Sequence, residues 1–149
     1  MTALGDFSSG DVLTAADLNA IGTWTSFTPT WTSLTVGNGT HDWAQYAQIN
    51  DVVLFSVRFT LGSTSSVGTN PRIAIPVATS NDSQLSLGTG RAQVGSTFYP
   101  IWPYMVSDDI IIYVLDTSTA YAKRGSITAT TPATWTTGDS LQIQGSYYV

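Results

Sequence analysis

His41 is the only histidine in the chain, and it is followed directly by Asp42. A serine hydrolase of the Ser-His-Asp kind would have to use it, with a nucleophile on a G-x-S-x-G elbow. The Ser-rich stretch Gly62 to Gly68 reads GSTSSVG and does not fit that elbow, so His41 reads as a surface or turn residue. Cysteine is absent, which removes thiol catalysis, disulfides and metal sites built on several Cys or His ligands. Asp108 and Asp109 could offer oxygen to calcium, but an EF-hand-like loop spacing is missing and the pair reads as a solvated turn. Glycoside hydrolysis needs two carboxylates in an aromatic and amide-lined cleft, and no pair of aspartates has that setting. No catalytic, cofactor-binding or metal residue is therefore expected, and the chain is not read as an enzyme. The aromatic groups Trp24, Trp31, Trp43, Trp102 and Trp135 could stack on sugars, but such residues more often belong to a core or an interface. NGT (Asn38 to Thr40) and NDS (Asn81 to Ser83) match glycosylation sequons and read as ordinary turns.

The elements that would position these residues are constrained by composition. In 149 residues there are 23 Thr, 17 Ser, ten Asp, no Glu and one Lys, and charged residues make up 10%. An ordinary globular chain carries about 25% charged residues, so hydroxyls, amides and glycine must cover this surface. The 42% hydrophobic content is too rich for disorder, and the length suits one domain with its own core. No run approaches the roughly 18–20 apolar residues of a membrane helix, and the N-terminus lacks the pattern of a signal peptide.

Charge is unevenly placed. Residues 1–57 hold five aspartates without a Lys or Arg, whereas residues 58–149 balance five Asp against Arg58, Arg72, Arg91, Lys123 and Arg124. Nucleic acid and anionic membranes are bound by clustered cations, so neither is an expected partner. An acidic leading segment suits a basic surface on a protein partner.

One helical pattern is present, Leu13 to Gly22. Thr14 can cap it, Asp17 can return a bond to the cap, and Leu13 with Leu18 can form a staple before the Gly22 stop. Two turns of helix are too short to stand alone. From Trp24 onward eight or nine short strands are expected, among them Phe27 to Val36, His41 to Ile49, Val52 to Leu61, Pro71 to Val77, Ser86 to Val94, Thr97 to Val106, Ile110 to Asp116 and a last strand after Trp135. Val53, Phe55, Val57, Phe59 and Leu61 share one face, as do Leu141, Ile143, Gly145, Tyr147 and Val149. The expectation is an all-β, jelly-roll-like antiparallel β-sandwich over residues 24–149, preceded by an arm of residues 1–23 with one small helix.

Two strands carry apolar residues on both faces. Ile110, Ile112 and Val114 alternate with Ile111, Tyr113 and Leu115; Tyr99, Ile101 and Met105 alternate with Phe98, Trp102 and Tyr104. A sandwich strand normally has one wet face, so the second face needs cover. Tyr99, Ile101, Trp102, Tyr104, Ile111, Tyr113 and Leu115 are the candidates for a contact between subunits.

Two stretches carry a resemblance. FSSGDVLTAADLNAIGTW (Phe7 to Trp24) resembles the leader of many tailed-bacteriophage virion proteins. The run Phe27 to Ala78, with P-T-W-T-x-L-T-V-G-N-G-T, Y-x-Q-x-x-x-x-V and F-T-L-G-S-T-S before N-P-R-I, is similar to the β-domain of phage minor structural proteins. The closing W-T-x-G-D-x-L-x-I-x-G-x-Y (Trp135 to Tyr147) resembles their last strand. The resemblance implies a homotrimeric jelly roll on the virion surface, attached through its arm to the major capsid protein or another virion protein. Capsid decoration, as a cement protein or head fibre, is favoured over a tail fibre because no shaft-like repeat separates arm from domain. The alternative is a tail fibre or receptor-binding protein that recognises host surface glycans. The arm would anchor through Phe7, Val12, Leu13, Leu18 and Ile21 as apolar contacts and through Asp6, Asp11 and Asp17 as charges.

Overall fold

A computed structural model describes residues 12, 14, 15, 21–79, 87–118 and 120–149. The expected helix and most of the arm lie outside these residues. The described chain forms ten strands: β1 (Thr25–Ser26), β2 (Trp31–Thr35), β3 (Thr40–Ile49), β4 (Val52–Thr60), β5 (Ser66–Ala74), β6 (Gly88–Val94), β7 (Thr97–Val106), β8 (Asp109–Asp116), β9 (Lys123–Ser126) and β10 (Ser140–Tyr148). All pairings are antiparallel, in the order β1-β3-β4-β10-β6-β7-β8-β5-β2, with β9 added on β8.

Period-2 alternation decides which face goes inside. On β4, Val53, Phe55, Val57 and Phe59 are buried, while Leu54, Ser56, Arg58 and Thr60 between them are only partly covered. On β10 the buried set is Leu141, Ile143 and Tyr147. These side chains meet Ile73 of β5 and Met105, Ile110, Ile112 and Val114 of β7 and β8 in one core. The sheet therefore curls until β3, β4, β10 and β6 face β7, β8, β5 and β2. Two contacts cross the core: Phe59 of β4 lies 5.8 Å from Trp31 of β2, and the Tyr147 hydroxyl of β10 donates to the Val77 carbonyl at 2.9 Å and accepts from its amide at 3.1 Å. Burial pushes the Tyr147 phenol up to about 12. The architecture is an all-β, jelly-roll-like sandwich.

Chain connectivity nearly closes the sheet. The segment from Thr25 to Thr35 is bound to β3 at its start and to β5 at its end, so one extended stretch bridges the two edges. Phe27 N–H donates to the Ala44 carbonyl and Ala74 N–H donates to the Thr30 carbonyl, both at 3.0 Å. Edge strands are thereby short or covered, which limits open-ended pairing with other chains.

Some boundaries differ from the sequence reading. The stretch between the expected strands Val52 to Leu61 and Pro71 to Val77 is loop only in its first part, because β5 begins at Ser66 and Val67 enters the core opposite Leu34. The turn before β8 is centred on Ser107 and Asp108; Asp109 is already in the strand, 3.9 Å from Arg72. Asn50, at positive φ, makes the tight turn between β3 and β4.

His41 is neither a surface nor a turn residue. It lies within β3, half-buried, and its ring stands 5.1 Å from Phe59. Its Nε2 accepts a 2.9 Å bond from the Trp31 indole N–H, an arrangement that only the neutral imidazole can make. Burial holds the His41 pKa below 6.5, against the opposing pull of Asp42. A lowered histidine pKa means that the unfolded chain binds more protons between the two pKa values, so its stabilising contribution is complete above the ordinary value of 6.5 and is lost as pH falls through the folded value. Wild type is expected to lose its melting-temperature advantage over His41→Gln on acidification from pH about 7.5 to about 5. A constant difference across that interval would refute the linkage.

Candidate functional site

The sequence-selected residues do not gather into one centre. His41 is engaged with Trp31, and Asp42 beside it bonds Arg58 at 3.0 Å and accepts from Thr60 at 2.8 Å. Asp109 faces Arg72, while the backbone carbonyl of Asp108 accepts from Ile75. Among the described residues no group of three or more His, Cys, Asp or Glu is placed to hold a metal ion. Nor is any helix among them long and apolar enough to cross a membrane. The tryptophans are dispersed rather than aligned as a platform. Trp31 packs toward the core, Trp43 donates to Ser56 Oγ under the Arg58 guanidinium, Trp24 and Trp102 are exposed, and Trp135 lies in a loop.

Of the candidates for subunit contact, two are corrected. Ile101 lies on the inward face of β7 and is 5% exposed, because the alternation along that strand sends Ile101, Pro103 and Met105 inward together. Ile111 is only 4% exposed within its own chain, flanked in register by Tyr104 on β7 and Arg72 on β5. Tyr99 is half-buried and packs against the core. What remains outside is an aromatic face on β7 and β8. Trp102 is 42% exposed and Phe98 is 55% exposed, with Val106 at the far end. Tyr104 and Tyr113 meet edge-to-face at 6.4 Å, and the Arg124 guanidinium lies 4.7 Å and 4.5 Å from their ring centroids. Leu115 is half-buried beside them, in register with Arg124. A cation against two rings satisfies part of this face without removing its apolar character. In the arm, Val12 and Ile21 are exposed. Asp6, Phe7, Asp11, Leu13, Asp17 and Leu18 lie outside the described residues.

A second feature lies at one pole of the sandwich, where three connections meet. The turn at Gly37 and Asn38 follows β2, the loop Leu61 to Ser65 joins β4 to β5, and residues 128–139 lead into β10. The Asn38 side chain donates to Ser63 Oγ at 3.0 Å and accepts from Thr64 N–H at 2.9 Å. Gly62 is required here, because a methyl group on it would collide with Asn38. Leu61 N–H donates to the Asp139 carbonyl and Gly138 N–H to that of Leu61, both at 2.8 Å. The Asp139 side chain is 3% exposed and accepts from Gly95 N–H at 2.7 Å and from Thr136 N–H at 2.6 Å. Trp135 donates its indole N–H to the Thr128 carbonyl at 2.9 Å, which fixes the ring. Between these walls is an open cleft of about 400 Å³, lined by Trp135, Leu61, Val67 and the Ser and Thr residues of the loops, with no charged residue among them.

Each of the three connections is visible in the sequence as a turn, in V-G-N-G-T, L-G-S-T-S and W-T-T-G-D. That they share one pole is not, because no local signal pairs β4 with β10. No family model, curated protein or solved structure matches this chain.

Proposed function

We propose that the protein is a non-catalytic structural component of a tailed-phage virion, a homotrimer on the particle surface held by its N-terminal arm. Capsid decoration or a head fibre is the favoured place. The observation that carries this reading is the exposed aromatic face of β7 and β8, where Phe98, with the Arg91 guanidinium 5.0 Å from its ring centroid, is exposed together with Trp102 and Val106. Exposed apolar surface of this kind marks a protein contact, and a second apolar sheet face is what an interface between copies needs. The uneven charge gives the arm a matching role, since its aspartates are free of competing cations along residues 1–57.

Sedimentation equilibrium on the full chain tests the assembly. The expected mass is three times 15.9 kDa, falling to a single 15.9 kDa in a Phe98→Asp/Trp102→Asp double variant. Wild type sedimenting as a 15.9 kDa particle at working concentration would defeat the trimer. Deleting residues 1–23 is expected to leave the mass of the assembly at three chains and to abolish co-sedimentation with phage particles. A truncated chain that still decorates particles removes the anchor from the reading.

A further inference from the structure

The cleft at the loop pole has a chemistry that selects its occupant. Its volume of about 400 Å³ falls at the small end of ligand sites, which run to roughly 300–1,000 Å³. The polar residues on its walls are Ser63, Ser65, Ser66, Thr136 and Thr137, and its aromatic wall is Trp135. Ser65 and Thr136 donate their hydroxyls to the Val36 carbonyl and the Asp139 carboxylate, which leaves the hydroxyls of Ser63, Ser66 and Thr137 as donors to a ligand. Such groups both donate and accept hydrogen bonds but carry no charge. A phosphate or carboxylate ligand would leave water without meeting a cation. A purely apolar ligand would strip water from the hydroxyls and return nothing. The complementary ligand is uncharged, has hydroxyls around its edge and has an apolar face to lay on an indole. A pyranose ring has all three properties.

The walls are also set in advance. Ser63 is held by Asn38, Thr136 by Asp139, and the Trp135 ring by the Thr128 carbonyl. Asp139 reaches Gly95 as well, so the β6–β7 turn is tied into the same frame. Binding would therefore order the ligand but few protein groups, which is what a small, weakly held ligand requires. The exposed Ser66 and Thr137 complete the rim.

We propose that this cleft is a saccharide site that takes a neutral pyranose residue, with Trp135 as stacking surface and Ser66 and Thr137 as hydrogen-bonding rim. The site belongs to a single chain and does not depend on trimer formation or on the arm. One pyranose is expected to bind with a dissociation constant on the order of millimolar, given how little free energy a ligand of this size gains. Three linked copies would raise avidity for a repeating glycan without a new contact.

The test is a ¹H–¹⁵N titration of the full chain with glucose, galactose, mannose, rhamnose, N-acetylglucosamine and, as anionic controls, glucuronate and N-acetylneuraminate. Five tryptophans give five indole signals, and the one lost in Trp135→Phe identifies the site. At least one neutral sugar is expected to shift the Trp135 indole and the amides of Gly62 to Ser66 saturably, leaving the indoles of Trp24, Trp31, Trp43 and Trp102 in place. Thr137→Glu is expected to weaken that binding by about tenfold or more, with an unchanged melting temperature because Thr137 is exposed. This second variant keeps the test decisive if Trp135→Phe folds poorly. The proposal is overturned if no neutral sugar shifts these signals, if only the anionic sugars do, or if Thr137→Glu binds as wild type does. A monomeric protein that still binds would separate failure of the trimer from failure of this site.

Discussion

Phe59→Ala is expected to lower the free energy of unfolding by about 3–5 kcal/mol, the range for removing a fully buried phenylalanine. Phe59 has no exposed surface, and its ring lies 5.8 Å from Trp31 and 5.1 Å from His41, at the point where the bridging segment folds back over β3 and β4. The ring is tightly packed, since a methyl group on Gly39 would collide with it. For a chain of this length the loss corresponds to a melting temperature lower by roughly 10 °C. The same substitution at Phe98, 55% exposed on the outer face, is expected to change the stability of an isolated chain by about 0.5 kcal/mol or less. Urea unfolding of both variants in a Trp102→Asp background separates the core face from the outer face. Equal losses in the two would mean that the faces of β4 and β7 have been assigned wrongly.

Asp139→Ala is expected to cost about 2–4 kcal/mol and to loosen the loop pole at the same time. The carboxylate accepts two backbone N–H bonds, from Gly95 at 2.7 Å and Thr136 at 2.6 Å, together with one from the Thr136 hydroxyl at 3.1 Å. Alanine leaves these donors without a partner, and each buried one costs roughly 1–3 kcal/mol. Gly95 and Thr136 lie near solvent, so water recovers part of the loss, which places the total below the sum. Hydrogen exchange gives the local readout: the amides of Gly95, Thr136 and Gly138 should exchange faster, while those at the centre of β4 change only with global stability. Asp139→Asn keeps one accepting oxygen and should fall between the two. An alanine variant with unaltered exchange at Gly95 and Thr136 would show that the carboxylate does not hold the loops.

Much of the fold was legible because it depends on local patterns. The buried row of β4 follows from alternation alone, the turn between β3 and β4 from Asn50-Asp51, and the last strand from Leu141, Ile143 and Tyr147. The outer face of β7 and β8 was legible only in part. Apolar residues on both faces of β7 and β8 signalled an excess, but alternation does not say which row turns inward on β7 or that Ile111 is covered by its own chain. His41 was misplaced for a similar reason. Its neighbours in sequence are polar, and its partners Trp31 and Phe59 come from other strands.

By itself the sequence determined the class of this protein: all-β, with a composition rich in hydroxyls, faces defined by period-2 spacing, and negative charge gathered in its leading third. These properties need no knowledge of which strands are neighbours, because side-chain alternation and turn chemistry act over a few residues. The tertiary structure alone decided where β4 and β10 pair, and so where Leu61 meets Asp139 and where Trp135 joins the Ser-rich loop. It also decided that Phe98 and Trp102, not Ile101 and Ile111, remain in solvent. Both outcomes come from contacts between segments tens of residues apart, fixed by filling one shared core rather than by any local preference.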